Sequence, residues 1–233
     1  MAAAPLILLP GLDGTGRLFD RVSPELARFA PVERVSYPME RGLGYAELQR
    51  VLEAKLPTAD PYVLVAESFS GPIAIEHAAA RPPLLRGLVL VATFAANPLP
   101  LPGSWLRPFA GLARPRMPKA LTRLLLVGGD APADLVEEVR ATVATMDPAV
   151  IAQRIRQVLS VDRRARLASI AAPTLYLGGS RDRLVGARGW RQCAAGIQDL
   201  QRVFLDAPHL VLQRRPKESA AAIEAFLGRL DHE

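Results

Sequence analysis

One serine lies where a nucleophile could act, between a strand pattern and a helix pattern. Residues 61–80 begin with a short β-branched run, turn sharply and continue into an Ala-rich helical segment. A strand that breaks directly into a helix places its turn residue, here Ser68, at the carboxyl edge of a sheet with the hydroxyl exposed. So tight a turn needs small residues two positions before and after it, and these are Ala66 and Ser70. The simpler alternative is that Ser68 only caps the helix.

A serine hydroxyl becomes a good nucleophile only beside a base that a third group orients. The sequence has three histidines. His77 lies about half a turn out of phase with Ser68 on the same predicted helix, and His232 is the second-last residue. His209 follows the last predicted strand and is therefore the predicted base. Asp182 follows the preceding strand and is predicted to accept the other imidazole N–H.

A glycine-rich turn at residues 10–16 follows the first predicted strand. It lacks the lysine of a P-loop and the spacing of a dinucleotide fingerprint, so phosphate binding is disfavoured. Backbone N–H groups in such a turn can instead stabilise a developing oxyanion. The predicted oxyanion hole is the N–H of Leu12 together with that of Phe69, which directly follows Ser68.

The elements that must position these residues alternate between strand and helix. Apolar strands are predicted over residues 6–9, 32–37, 62–65, 85–92, 174–177 and 200–205, with amphipathic helices between them, one of them over residues 18–30. Such alternation predicts an α/β fold with a mostly parallel sheet of about six strands and helices on both faces. Ligands of these sheets bind beyond the carboxyl ends of the strands, where Ser68 and the glycine-rich turn meet.

The pattern changes after Thr93. Six prolines fall between residues 97 and 119, and amphipathic helices follow without a strand pattern until Thr174. We predict a helical cap over residues 97–168, inserted into a core formed by residues 1–96 and 169–233. The aromatic residues Trp105 and Phe109 are predicted to bind substrate. Met146 is predicted to serve core packing, with a place in the substrate pocket as the alternative.

Composition sets the remaining bounds. The 233 residues suit one domain, 50% are hydrophobic, and no apolar run is long enough for a membrane span. The single cysteine, Cys193, forms no internal disulfide and no metal cluster. We predict no metal, no cofactor, no nucleic-acid partner and no membrane partner. The first residues carry no basic leader, so a cytoplasmic location is expected.

The order Ser68, Asp182, His209, with the turn Ala-Glu-Ser-Phe-Ser-Gly after a strand, resembles the α/β-hydrolase superfamily along nearly the whole chain. Within it, the sequence is similar to small capped bacterial serine esterases such as the pimeloyl-carrier-protein methyl ester esterases. It departs from them at Pro10-Gly11, where they have His-Gly, and at Ala66 and Ser70, where they have glycine. The loop at residues 10–16 also resembles that of plastid acyltransferases.

The resemblance implies a carboxylesterase with Ser68 as nucleophile, His209 as base and Asp182 as acid. The first alternative is a thioesterase or acyltransferase that uses acyl carrier protein or coenzyme A. Residues 97–172 carry 11 basic and 6 acidic residues, which would suit an acidic donor. The arginines proposed for this contact are Arg123, Arg140, Arg154, Arg156, Arg163 and Arg164. The second alternative is a binding protein on the same fold that performs no chemistry.

Overall fold

The sheet has six strands, all parallel, in the order β2-β1-β3-β4-β5-β6. The computed structural model describes residues 3–112 and 117–230, apart from the side chains of residues 109, 111 and 112. The strands are β1 (Leu6–Leu9), β2 (Val32–Arg34), β3 (Tyr62–Glu67), β4 (Leu85–Val91), β5 (Thr174–Gly179) and β6 (Leu200–Leu205). The predicted fold class is confirmed.

Central strands are apolar without alternation because helices cover both faces of the sheet. Every residue of β1, β3 and β5 is buried, whereas every residue of the edge strand β6 is exposed or half-buried. Successive side chains of a strand point to opposite faces. In β1, Ile7 and Leu9 therefore join one buried cluster, while Leu6 and Leu8 join the other.

Two layers of helices cover the sheet. One face packs against α2 (Tyr45–Glu53), α3 (Gly71–Ala79) and α8 (Gly186–Ala194). The other face packs against α1 (Ser23–Leu26), α9 (Val211–Arg214), α10 (Pro216–Leu230) and the 3-10 helix Arg17–Arg21. None of the helices in the described ranges is both long enough and apolar enough to cross a membrane.

Two elements are much shorter than predicted, whereas β3 and β5 each extend two residues beyond their predicted ends. The helix predicted over residues 18–30 is instead the 3-10 helix Arg17–Arg21 followed by the short α1, which carries a proline in its first turn. The apolar spacing in this segment describes its buried face, but Pro24 cannot donate the hydrogen bond that would continue a helix begun upstream. Strand β2 ends at Arg34, three residues before the predicted end, because it lies at the edge of the sheet and pairs only with β1.

The segment between β4 and β5 is helical, as the change in sequence character indicates. Its α-helices are α4 (Gly103–Leu106), α5 (Lys119–Thr122), α6 (Ala133–Ala144) and α7 (Pro148–Ser160), joined by 3-10 helices at Arg107–Leu112 and Arg164–Ser169 and a π-helix at Arg123–Val127. Its two ends are held together by an antiparallel bridge between Ala96 and Asp162, beside which the Arg163 N–H donates to the Ala95 carbonyl at 2.7 Å. The boundaries at 97 and 168 stay a prediction.

The strand order identifies where the chain reverses its direction of travel across the sheet. From β1 the chain moves outward to β2 and then returns to place β3 on the other side of β1. The loops after β1 and β3 therefore diverge and leave a crevice at the carboxyl edge, the usual ligand site of such sheets. Leu9 pairs with Ala66, so the glycine-rich turn and Ser68 both begin at this crevice.

The contact between β4 and the start of α3 should tolerate no added carbon. A Cβ on Gly71 would lie 1.9 Å from Thr93 Oγ1, whereas a Cβ on the exposed Gly228 of α10 would meet nothing within 4 Å. Gly71→Ala should lower the free energy of unfolding by about 1–3 kcal/mol through overpacking. Gly228→Ala should raise it by about 0.5–1 kcal/mol through helix propensity. Urea unfolding measures both, and equal effects would contradict the packing assignment.

Candidate active site

Ser68 occupies a strained turn. Its φ is 50°, in the left-handed region that a residue with a Cβ seldom adopts. The chain passes from β3 through the 3-10 turn Ser68–Ser70 directly into α3. The Thr93 hydroxyl donates to the Ser68 carbonyl at 2.5 Å and so holds the turn from the end of β4. Ser68 lies at the carboxyl edge of the sheet, as predicted, and the residue is half-buried.

The three predicted side chains meet in one chain of hydrogen bonds. Ser68 Oγ lies 2.9 Å from His209 Nε2, and His209 Nδ1 lies 2.9 Å from Asp182 Oδ2. Since the ionised carboxylate can only accept, Nδ1 carries the proton, and Nε2 is left to accept from the serine hydroxyl. The histidine and aspartate side chains are only 5% and 2% exposed, which shields both contacts from water.

Protonated His209 and ionised Asp182 stabilise each other. Burial alone would lower the pKa of His209, but the charge and hydrogen bond of Asp182, with a smaller effect of Glu67, raise it above its ordinary value. Burial alone would raise the pKa of Asp182, but the His209 charge and hydrogen bond and the N–H groups of Leu184 and Val185 lower it. Asp182 therefore stays ionised and stabilises a protonated imidazole.

The predicted oxyanion residues lie on adjacent loops. The Leu12 side chain packs against the buried cluster that contains Phe69. Within the described ranges, the N–H of Leu12 has no acceptor. The Ser70 hydroxyl donates to the Pro10 carbonyl and accepts from the Tyr37 hydroxyl at 2.7 Å. Ser70 thus ties the turn around Ser68 to the loop that carries Leu12.

Sequence reasoning missed a buried acid directly before the serine. Glu67 is 1% exposed. In the described part of the chain its carboxylate accepts one hydrogen bond, from Gln213 Nε2 to Oε2 at 3.3 Å, and Oε1 has no partner. Burial raises the pKa of Glu67 to about 7, against the Gln213 hydrogen bond, and nearby Asp13 adds to the rise. A glutamate at the end of a strand whose every other residue is apolar was the signal available in the sequence.

The predicted cap contacts have different outcomes. Trp105 is 68% exposed, so its ring does not line an enclosed cavity, and its role in substrate binding stays a prediction. The short α4 packs one side so closely on α7 that a Cβ on Gly103 would meet the Leu159 carbonyl at 1.6 Å, which turns Trp105 outward. The side chain of Phe109 lies outside the described residues. Met146 is buried among apolar residues of the cap.

His77 lies away from the candidate site, and the described residues form no metal centre. His77 Nε2 hydrogen-bonds the Tyr62 hydroxyl at the amino-terminal end of β3, the opposite edge of the sheet from Ser68. Within residues 3–112 and 117–230, no cluster of three or more His, Cys, Asp or Glu residues could hold a metal ion.

The stability of the protein should report the raised pKa of Glu67. An acid whose folded pKa lies above its unfolded value of 4.5 stabilises the fold most at low pH and loses that contribution as the pH rises through 7. Between pH 5 and pH 8, Glu67→Gln should therefore gain on the order of 2 kcal/mol in unfolding free energy relative to wild type. Urea unfolding at both pH values measures this, with Glu33→Gln, at an exposed position, as the control. A parallel pH dependence of Glu67→Gln and wild type would contradict it.

Comparisons with known proteins agree with this architecture. The sequence model of the alpha/beta hydrolase family matches residues 6–222. A hydrolase from Pseudomonas aeruginosa PA01 is 24% identical, with a TM-score of 0.80 over 97% of this chain and 90% of that one. A bromoperoxidase from Bacillus anthracis is 18% identical (TM-score 0.82, 97% and 92% covered), and an enol-lactonase from Burkholderia xenovorans LB400 is 17% identical (TM-score 0.76, 98% and 92% covered).

These structural likenesses are too distant to carry over more than the fold. No curated protein matches the sequence. The match of the family model over most of the chain, together with the parallel sheet and the turn at Ser68, shows that the chain belongs to the alpha/beta hydrolase family.

Proposed function

We propose that the protein is a serine hydrolase that cleaves a carboxylic ester through a covalent acyl-enzyme. The observation that carries this proposal is the unbroken hydrogen-bond chain from Asp182 through His209 to Ser68, with both contacts at 2.9 Å. The left-handed backbone at Ser68 supports it, because strain of this kind persists where a function requires it. We further propose the carboxylesterase class, since a serine nucleophile suits acyl chemistry.

The proposed reaction has two halves. Ser68 Oγ attacks the ester carbonyl while His209 Nε2 takes the hydroxyl proton, and Asp182 stabilises the imidazolium that results. The negative charge that forms on the carbonyl oxygen accepts from the N–H groups of Leu12 and Phe69. The intermediate collapses, the C–O bond breaks, and His209 returns its proton to the leaving alcohol. Water then attacks the acyl-enzyme by the same steps and releases the acid and free Ser68.

The base works only when the imidazole is neutral. Asp182 raises the pKa of His209 above its ordinary value of 6.5, which makes the imidazole a stronger base. The hydrolysis rate then depends on the unprotonated fraction, which grows as the pH rises through that pKa. At pH 6.5, less than half of the His209 side chains are therefore in the neutral form that the proposed mechanism needs.

Removing the nucleophile should abolish the activity while the fold survives. Ser68→Ala should lower kcat/KM for p-nitrophenyl esters by at least about 10⁴-fold, because the covalent route is lost. A fluorophosphonate should label wild type and not Ser68→Ala, and the exposed Ser160→Ala should behave as wild type. Residual turnover close to wild type in Ser68→Ala would contradict the proposal. A wild type that is neither labelled nor active would favour the non-catalytic binding protein.

A thioesterase or acyltransferase is the second candidate function. Fewer arginines are free to bind its acidic donor than the sequence implies. Five of the six proposed cap arginines are used within the protein. Arg123, Arg140 and Arg154 donate to backbone carbonyls, and Arg163 and Arg164 pair with Glu76 and Asp162. Of the six, only Arg156 is exposed and has no side-chain partner in the described part of the chain. Among the proposed arginines, a contact with acyl carrier protein then relies on Arg156.

A basic cavity is the observation that favours a phosphate-bearing thioester such as coenzyme A. Arg164, Arg188 and Arg191 line a cavity of about 530 Å³ between the 3-10 helix Arg164–Ser169 and α8. The cavity has no acidic lining residue, and the Arg191 side chain has no partner within the described ranges. Gln192, which also lines it, accepts from the N–H groups of Ala95 and Ala96 where the cap joins the core.

Matched substrates separate the two candidates. If the cavity binds a phosphate-bearing donor, Arg191→Glu should lower kcat/KM for an acyl-coenzyme A about tenfold at low salt, and the difference should shrink near 0.5 M salt. The p-nitrophenyl ester of the same acyl chain should be unaffected. The charge-matched control is Arg28→Glu, because Arg28 lies two residues after the end of α1 and its side chain is 76% exposed. Equal effects of Arg28→Glu and Arg191→Glu, or no effect of salt, would contradict this candidate.

A further inference from the structure

A cationic side chain of the cap is buried against the core. Arg154 on α7 is 2% exposed, although the sequence suggests a solvent-facing arginine available to an acidic donor. No carboxylate lies within ion-pair distance of it in the described part of the chain, and Asp13 is the opposite charge that acts on it from further away. Burying an unpaired charge is unfavourable unless other contacts compensate. Those contacts show what the side chain does.

The Arg154 guanidinium joins two loops at the carboxyl edge of the sheet. Nη1 donates to the Leu12 carbonyl at 2.8 Å, and Nη2 donates to the Pro38 carbonyl at 3.1 Å. The guanidinium carbon lies 5.7 Å from the centre of the Phe69 ring and 6.0 Å from that of Tyr37, within the range of cation–π attraction. Arg154 therefore contacts both residues of the proposed oxyanion hole, one through a hydrogen bond and the other through its ring.

The glycine-rich loop is shaped to receive this side chain. Gly14 has a φ of 70°, and a Cβ on it would lie 2.3 Å from Arg154 Nη1. Its N–H donates to the Gly11 carbonyl at 3.0 Å, which closes a turn around Leu12. Any larger residue at position 14 would strain the backbone and displace the guanidinium. The glycine is thus explained by a contact with the cap rather than by a phosphate.

We propose that Arg154 is a positioning residue that holds the loop at residues 10–14 in the conformation that aims the Leu12 N–H at the oxyanion. The loop is fixed from the core by the hydrogen bond between Ser70 and the Pro10 carbonyl, and from the cap by Arg154. Helix α7 then contributes to transition-state stabilisation. This inference rests on the proposed function.

A positioning role and a purely structural role differ in kinetics. If Arg154 only docked the cap, its loss would alter stability and substrate binding. If it positions the oxyanion loop, its loss should lower kcat with little change in KM, because the oxyanion exists only in the intermediates and the transition states that flank them. The affinity for a boronic acid, which forms a tetrahedral anionic adduct with a nucleophilic serine, should fall together with kcat/KM.

The test compares substitutions at two positions of the same helix, α7. Arg154→Met should lower kcat for a p-nitrophenyl ester about 10- to 100-fold, as expected for a misplaced oxyanion donor, with KM within about threefold of wild type. The kcat of Arg154→Lys should lie between those of wild type and Arg154→Met, because lysine keeps the charge and can donate to one of the two carbonyls. Gln157→Met is the matched control, since Gln157 also reaches from α7 to a core carbonyl, that of Leu43, at 2.9 Å. It should leave kcat, KM and boronic acid affinity within about twofold.

Three results would overturn the inference: an Arg154→Met kcat within twofold of wild type, a rise in KM at constant kcat, or an equal loss of kcat in Gln157→Met. Thermal unfolding monitors the fold of each variant. If Arg154→Met does not fold, Arg154→Lys and Gly14→Ala carry the test, because the added Cβ displaces the same guanidinium. The double variant Gly14→Ala/Arg154→Lys should show a smaller fold-loss of kcat than the product of the two single-variant fold-losses, because both changes disturb the same contact. A fold-loss equal to that product would contradict a shared contact.

Failure of the inference is distinguishable from failure of the proposed function. Labelling of wild type by a fluorophosphonate, together with the loss of activity in Ser68→Ala, is measured first. If both hold while Arg154→Met retains kcat, only the positioning role is wrong. If neither holds, the proposed function itself is wrong, and the positioning role is overturned with it.

Discussion

The left-handed backbone of Ser68 is the constraint on which the candidate site depends. A φ of 50° lets the chain leave a buried strand and enter a helix within three residues, which raises the hydroxyl above the sheet edge. Such a turn is unfavourable in isolation, by about 1–3 kcal/mol. Its neighbours stabilise it: Thr93 donates to the Ser68 carbonyl, Gly71 leaves room for Thr93, and Ser70 ties the turn to Pro10. Each of these contacts joins segments that are remote in sequence.

The turn also gathers an unusual density of buried charge. Glu67, Asp13, His209 and Arg154 are each no more than 5% exposed, and the described part of the chain shows one direct ion pair at the site, between His209 and Asp182. Burial raises the pKa of Glu67, and nearby Asp13 adds to the rise, whereas the charge and hydrogen bond of His209 lower the pKa of Asp182 against the effect of its burial. The segment between β4 and β5 contacts this arrangement at two points: Arg154 donates to the Leu12 carbonyl, and the Leu126 carbonyl accepts from the Leu210 N–H next to His209.

Much of the architecture could be read from residue patterns because the central strands are apolar on both faces and the helices apolar on one. The strand, turn and helix around Ser68 were predicted from local spacing, and Asp182 and His209 from their places after strands. The failures have local causes. Pro24 interrupts a segment whose apolar spacing describes its burial, and β2 is short because it lies at an edge. The exposure of Trp105 depends on which side of α4 packs on α7, which no spacing within four residues could indicate.

The sequence by itself determined the order of strands and helices and the three residue types that meet at Ser68, because hydrophobic periodicity and turn chemistry are local properties. The tertiary structure alone decided the distances between those residues, the raised pKa of Glu67 and the burial of Arg154. These depend on which remote segments pack together and on how much water they exclude. From its sequence, Arg154 is predicted to face solvent, and only the structure shows that it is buried. Likewise, only the structure shows that the Arg154 guanidinium fills the space that a Cβ on Gly14 would need.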